Sequence, residues 1–144
     1  MFVPLFIGIH SEAALLDSGA ADSFISERTV QKLRLPTLEL KHPMWIQVAN
    51  GQVLQELYFV RITAKLGQTP VRLFLRVINT PLEVVLGFQF LYHFNPRINW
   101  RSRTLYTESA VATYKIKTMP INLPDLDGIT HLHPHNVSMQ WATF

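Results

Sequence analysis

Hydrophobic and polar residues alternate in several segments of the first 107 positions, with the period of two that is typical of half-buried β-strands. In the segment YFVRITAKL, the apolar members fall on one face and the basic or hydroxyl members on the other. The apolar face comprises Tyr58, Val60, Ile62, Ala64 and Leu66, and the polar face Arg61, Thr63 and Lys65. The turn GQTP joins this run to the alternating run VRLFLRVI, which predicts an antiparallel hairpin.

Three other runs predict further strands. LFIGIHSEAALL predicts two strands joined near residues 10–12, and PLEVVLG predicts a short buried strand that ends at a glycine. MWIQVANGQVLQELYFV predicts a hairpin around Asn50-Gly51, a dipeptide that suits a two-residue turn with positive φ. RINWRSRTLYT predicts a closing hairpin. Antiparallel strands of this kind hide their edges in a barrel or a sandwich, so we expect a mainly β fold.

Two short helices interrupt the strands. SERTVQKLRLP begins with the N-cap candidate Ser26 and stops at Pro36, and FQFLYHFNP stops at Asn95-Pro96. The large aromatic residues in and around these segments are expected to fill the core rather than to bind a ligand. They are Trp45, Phe88, Phe90, Phe94 and Trp100.

The alternation ends near residue 107, which predicts a folded domain over residues 1–107 and a poorly structured tail or linker over 108–144. The chain has 144 residues, of which 48% are hydrophobic and 16% charged, enough to bury a core. It has no cysteine, which excludes disulfides, a thiolate nucleophile and cysteine-ligated zinc. No apolar stretch approaches the ~20 residues that span a bilayer, and the N-terminus lacks the basic start and cleavage site of a signal peptide.

The net charge of +3 reflects eleven basic and seven acidic residues up to Thr107, and two and three beyond it. The basic residues are scattered among the strands, so solvated strand faces are favoured over a nucleic-acid patch.

The stretch ALLDSGAADSFIS places an acid, a hydroxyl and a glycine at the end of an apolar strand. Burying a carboxylate is costly, so Asp17 either opens an ordinary turn or is placed there to react. Gly19 permits a tight turn with close backbone approach, and Ser18 can reach a second copy of the loop. Two such loops would bring two carboxylates together, with one proton shared between them.

Three stretches, ALLDSGAADSFIS, ANGQ and PLEVVLGFQFLYHFNPRINW, resemble in this order the retropepsin-like aspartic peptidase domain of gypsy-class LTR retrotransposons. The same domain occurs in domesticated retrotransposon-derived proteins. The resemblance runs from about Val3 to Tyr106, and its most specific signals are the loop of residues 17–20 and the later Val85-Leu86-Gly87. It implies a retropepsin-like closed β-barrel, equivalent to half of an acid protease, in which the later segment packs under the loop.

The resemblance also implies roles for individual residues. Asp17 is the catalytic acid, Ser18 ties two loops together, and Gly19 contacts substrate through its backbone. Four positions are implied to bind substrate and two to support the loop. The binding positions are Ala20, Asp22, Asn50 and Gly51, the last two at the tip of a mobile flap, and the supporting positions are Leu86 and Gly87. For Asp22, a plain solvated loop acid is an equally good interpretation.

Two positions depart from the retroviral pattern, in which an acid four residues after the catalytic one pairs with an arginine after the later glycine. This chain has Ala21 and Phe88 there, so both charges are missing together. We therefore expect an apolar contact in place of the ion pair, with Phe88 buried near the loop and supporting a dimer interface.

The tail holds three weaker candidates. DLDGIT at 125–130 lacks the hydroxyl between its acid and its glycine, so we do not expect a second catalytic loop. His131, His133 and His135 alternate, but a proline among them favours a plain tail over a metal site. Asn136-Val137-Ser138 fits a glycosylation sequon, although nothing indicates secretion.

Two functional hypotheses remain. The first is an aspartic endopeptidase that processes extended peptide segments of a retroelement polyprotein, without metal or organic cofactor. With one acid loop per chain it must act as a homodimer. No direct nucleic-acid or membrane partner is expected, and the setting would be intracellular, in the cytoplasm or a retroelement particle. The second is a catalytically silent domesticated copy that serves as a dimerisation or peptide-binding module.

Overall fold

The computed structural model describes residues 1–47, 53–108 and 113–117. Ten strands and two short helices follow one another in this part of the chain. In order they are β1 (Phe2–Ile7), β2 (His10–Leu16), β3 (Phe24–Ser26), α1 (Glu27–Leu33), β4 (Leu38–Gln47), β5 (Val53–Leu66), β6 (Thr69–Ile78), β7 (Val84–Leu86), α2 (Phe88–Phe94), β8 (Arg97–Asn99), β9 (Thr104–Glu108) and β10 (Thr113–Lys117).

Six of these strands close into a barrel. Their order is β1-β2-β7-β3-β6-β5, and β5 pairs back onto β1, while β4 extends the sheet as an outer neighbour of β5. Strand β7 lies parallel to β2, and β3 lies parallel to β6, whereas the other pairs in the barrel are antiparallel. The predicted mainly β fold with a closed barrel and two short helices is confirmed.

Most of the predicted apolar face of β5 fills the barrel, although Tyr58, at the start of that face, is 42% exposed. Val60, Ala64 and Leu66 of β5 are buried, while Arg61 and Lys65 between them are exposed. A second, smaller cluster of buried residues lies under the loop that follows β2. Its members are Ala20, Phe24, Ile46, Ile78 and Val85.

Both predicted helices begin and end for local reasons. The Ser26 hydroxyl accepts a hydrogen bond from the Thr29 amide at 3.0 Å, and α1 ends at Arg34 in the left-handed region at φ 53°. Helix α2 starts directly after Gly87 and ends at Asn95, also left-handed at φ 46°. Neither described helix has the length and hydrophobicity needed to cross a membrane.

Two boundaries differ from the sequence predictions. The first turn lies at residues 8–9 rather than 10–12, because Gly8 takes a positive φ of 61° and lets β2 begin at His10. Strand β10, at residues 113–117, lies beyond the predicted domain limit at residue 107 and pairs with β9. The remaining residues of the predicted tail lie outside the described part of the chain, including the acid turn, the histidines and the sequon.

Three aromatic residues that were expected in the core are exposed instead. Trp45 is 66% exposed, Trp100 is 71% exposed and Phe88 is 51% exposed. Trp45 sits on β4, which has no barrel strand on its outer side, and Trp100 lies in the turn between β8 and β9. Phe90 and Phe94 do pack against the main core, as expected, with their rings 5.1 Å apart.

Candidate active site

The acid loop, defined here as residues 17–23, connects the end of β2 to the start of β3. It carries five of the predicted site residues, namely Asp17, Ser18, Gly19, Ala20 and Asp22. Ser18 is exposed and Ala20 is fully buried, so the loop turns one side toward solvent and anchors the other in the small cluster. The predicted flap residues Asn50 and Gly51 lie outside the described residues.

The segment that follows β7 supports this loop through backbone hydrogen bonds. The Asp17 amide donates to the Leu86 carbonyl at 3.0 Å, the Phe88 amide donates to the Ala20 carbonyl, and the Gln89 amide donates to the Ala21 carbonyl at 3.2 Å. Residues 86–89 therefore fix the loop at both of its sides. The two segments singled out in the sequence, about seventy residues apart, are in direct contact.

Gly87 lies at the tightest point of this contact. A Cβ atom built there would overlap the Asp22 carbonyl oxygen and lie 2.7 Å from the Ala20 carbonyl oxygen. Only glycine fits between the loop and the start of α2. Its amide donates a hydrogen bond to the buried Ser23 hydroxyl at 3.0 Å, so Ser23 is a supporting residue that the sequence analysis did not select.

The Asp17 carboxyl group is held by its own loop. Its Oδ1 atom accepts a hydrogen bond from the Gly19 amide at 2.8 Å, which fixes the plane of the group. Its Oδ2 atom is buried and has no hydrogen-bond partner among the described residues, and none of their ion pairs includes Asp17. One oxygen is thus committed to the fold, and the other keeps unused hydrogen-bonding capacity.

Asp22, in contrast, is part of an ion-pair network. Arg76 on β6 approaches Asp22 with its Nη2 atom, 3.5 Å from Oδ2, and donates from Nη1 to Oε2 of Glu56 at 2.8 Å. Burial raises the pKa of Glu56, and the adjacent Arg76 opposes that rise. Nothing in the sequence marks Arg76 and Glu56 as site residues, because within an alternating strand pattern they look like ordinary solvated positions.

Phe88 does not fill the position that was predicted for it. Its backbone amide contacts the acid loop, but its side chain points away from the barrel and lies beside Tyr92, with the ring centroids 6.1 Å apart. The expected buried apolar contact between Phe88 and Ala21 is therefore wrong for the single chain. The reason is helical geometry, since the residues one turn apart at 90 and 94 face the barrel and those at 88 and 92 face outward.

A second charged cluster lies at the other end of β2. The buried Glu12 forms an ion pair with Lys32 of α1 at 2.7 Å, and Glu83 accepts a hydrogen bond from the Ala13 amide at 2.7 Å. Burial raises the pKa of Glu12, and so does the neighbouring Glu83. Among the residues that the structure describes, no three histidine or acidic side chains are grouped to hold a metal ion.

Comparison with known proteins agrees with this architecture. A solved structure, the retroviral protease-like domain of Ddi1 from Leishmania major, superposes with a TM-score of 0.59 at 19% sequence identity. The similarity covers 88% of this chain and 96% of that one, and at this identity it supports the fold alone. None of the curated proteins compared with the chain is significantly similar to it in sequence.

The family assignment comes from the sequence of the domain itself. Residues 13–116 match the family described as the PEG10/RTL1 protease domain, which is retrotransposon-derived and retropepsin-like. Because this match covers more than half of the chain, the chain belongs to that family. The predicted resemblance to retropepsin-like domains is confirmed.

Proposed function

We propose that this domain is an aspartic endopeptidase that acts as a homodimer, with each chain contributing one Asp17. The observation that carries the proposal is the Asp17 carboxyl group, fixed through Oδ1 by the Gly19 amide while its buried Oδ2 lacks a partner among the described residues. A buried oxygen without a partner is costly, and a second acid loop would offset that cost. Membership of a protease-domain family supports the same function.

In the proposed dimer, the two Asp17 carboxyl groups meet on the two-fold axis. Two like charges at that distance do not both ionise, so the pair holds one proton, as in aspartic proteases. The ionised member acts as a base on a water molecule while the protonated member donates to the carbonyl oxygen of the peptide bond. Ser18, exposed beside Asp17, would tie the two loops together.

The proposed substrate is an extended peptide segment of a retroelement polyprotein. Such a segment would bind as an added strand, through main-chain hydrogen bonds to Gly19 and to the predicted hairpin tip at Asn50 and Gly51. Strands β4 and β5 form the base of that hairpin. Ala20, which was also expected to bind substrate, is fully buried, with its amide and carbonyl already hydrogen-bonded to Asp17 and Phe88, so it would support the loop instead. Leu86 and Gly87 would hold the acid loop in place without touching the substrate.

The proposal is tested with purified wild-type protein and the variant Asp17→Ala, alongside the exposed-acid control Glu27→Gln. General acid–base catalysis contributes roughly 10²–10⁴-fold, so Asp17→Ala should lose cleavage by at least that factor while the control retains it. Specific activity of the wild type should fall on dilution below the dimer dissociation constant. Cleavage by Asp17→Ala equal to that of the wild type would overturn the proposal.

The same measurements separate the competing function, a silent dimerisation or peptide-binding module. That protein would form dimers and bind extended peptides, yet show no turnover that depends on Asp17. For the enzyme we expect a bell-shaped rate profile on the acid side of neutrality, because the coupled carboxyl pair titrates in two steps. A rate that climbs steadily into the alkaline range would indicate different chemistry.

A further inference from the structure

The Arg76 cluster, defined as Asp22, Met44, Glu56 and Arg76, joins three parts of the molecule. Asp22 belongs to the acid loop, Arg76 to β6, and Met44 and Glu56 to opposed positions on β4 and β5 at the base of the hairpin. Arg76 Nη1 lies 2.8 Å from Glu56 Oε2 and 3.1 Å from Met44 Sδ, and Nη2 lies 3.5 Å from Asp22 Oδ2. One guanidinium therefore links the floor of the candidate site to the hairpin above it.

The cluster is graded in exposure from the interior to the surface. The Glu56 side chain is 0% exposed, that of Arg76 17% and that of Asp22 33%. Glu56 Oε1 and Arg76 Nε are both buried without a hydrogen-bond partner among the described residues. Met44 is also exposed, at 44%, but it carries no charge. Asp22 is thus the charged member that a bound peptide can reach, and Arg76 and Glu56 act on the peptide through it.

The charge around Asp22 determines which peptide side chain can bind beside it. A lone half-exposed carboxylate five residues after Asp17 would select a basic peptide side chain. Here the Arg76 guanidinium lies 3.5 Å from that carboxylate, and its positive charge offsets most of the negative charge of Asp22. Glu56 is fully buried behind the guanidinium and contacts Nη1, whereas Nη2 faces Asp22. On the side that Asp22 presents, a cation therefore lies directly beside the carboxylate.

We propose that Arg76 is a specificity-determining residue that neutralises Asp22, so that the peptide position beside Asp22 takes an uncharged side chain instead of a basic one. This inference rests on the proposed function, since it concerns the peptide-binding cleft of the same site. Arg76 acts by positioning and neutralising Asp22, with Glu56 fixing the guanidinium from behind. The subsite charge is set by three residues from three different strands or loops.

The test uses a set of peptides, identical except that Lys, Gln or Glu replaces each position near the scissile bond in turn. Turnover is measured with the wild-type protein, and binding by fluorescence anisotropy with Asp17→Asn, which removes the reacting acid. Wild type should favour Gln over both charged residues at the position beside Asp22. The double variant Arg76→Met with Glu56→Gln, in which neither charge is left alone in the interior, should favour Lys there, with a change in ranking on the order of tenfold.

Two further variants make the outcome decisive. Asp22→Asn removes the carboxylate that faces Nη2 of Arg76 and should shift the ranking in the opposite direction, toward Glu. Arg61→Met is the matched control, because Arg61 is an exposed arginine of β5 whose guanidinium lies over the Phe59 ring, and it should leave the ranking unchanged.

A wild-type preference for Lys, or rankings unaltered in both Arg76→Met/Glu56→Gln and Asp22→Asn, would overturn the inference. Binding that follows the expected ranking without any turnover would support the subsite and refute the protease. Turnover without the expected ranking of the Lys, Gln and Glu peptides would support the protease and refute the subsite. Absence of peptide binding by Asp17→Asn at millimolar concentration would refute both.

Discussion

The acid loop and the Arg76 cluster share Asp22, yet they are held together by different forces. The loop is fixed by backbone hydrogen bonds from residues 86–89 and by a close approach at Gly87 that leaves no room for a side chain. The cluster is fixed by ion pairs among Asp22, Glu56 and Arg76. Backbone contacts hold their geometry at any pH, whereas ion pairs change when a carboxyl group titrates.

The two carboxyl groups of the loop, Asp17 and Asp22, differ in their partners. Asp17 accepts a hydrogen bond from a backbone amide and forms no ion pair among the described residues, so its second oxygen has no hydrogen-bond partner there. Asp22 is committed to Arg76. A carboxyl group that is to exchange protons must not be tied to a permanent cation, since that would hold it ionised. The fold therefore separates the proposed catalytic acid, Asp17, from an ion-paired acid, Asp22, only five residues away.

The largest effect is expected from Arg76→Met, which breaks the cluster and leaves Glu56 buried without its cation. Loss of one partner from a buried pair typically costs about 3–5 kcal/mol, and we expect that reduction in the free energy of unfolding by urea denaturation. The double variant Arg76→Met with Glu56→Met should recover most of the loss. If the single and double variants proved equally unstable, the pairing would not explain the cost.

The next largest effect is expected from Gly87→Ala, which disturbs the backbone contacts that hold the acid loop. The new methyl group would meet backbone carbonyl oxygens rather than a side chain that can move, so the loop must shift. Overpacking costs about 1–3 kcal/mol, and we expect a value near the upper end together with loss of cleavage. Gly8→Ala adds the same methyl group at a site with nothing within 4 Å, so any cost there comes from its positive φ of 61° and not from crowding.

A smaller effect is expected from Phe88→Ala. A buried phenylalanine costs about 3–5 kcal/mol to truncate, but half of this side chain is exposed in the single chain, so about 1–2 kcal/mol is expected there. If the exposed Phe88 and Tyr92 lie in the proposed dimer interface, the variant should weaken dimerisation more than folding. Sedimentation at several concentrations, compared with urea unfolding, measures the two separately.

The smallest effect is a change in how stability depends on pH. The pKa of Glu56 is raised in the folded chain, so between its ordinary value of 4.5 and its folded value the native state binds more protons than the unfolded state. The contribution of Glu56 to stability therefore falls as pH rises through that range and is constant above it. Glu56→Gln should remove this fall, whereas Glu39→Gln, on the exposed part of β4, should leave the curve unchanged.

The sequence by itself determined the local elements. Alternation with a period of two, the Ser26 cap and the Asn95-Pro96 stop predicted the strands of the β5–β6 hairpin and both helices, because these depend on neighbours in the chain. The motif of residues 17–20 and the later Leu86-Gly87 identified the two segments that meet. These segments carry information that does not depend on the rest of the fold.

Only the tertiary structure decided which side chains share a surface. Phe88, Trp45 and Trp100 are hydrophobic residues of the kind that fill cores, but no strand or helix in the described part of the chain covers them. Glu56 and Arg76 are twenty residues apart in an ordinary alternating pattern, and their pairing requires β5, β6 and the acid loop to come together. Hydrophobicity is a property of a residue, whereas burial and ion pairing are properties of what the fold places beside it.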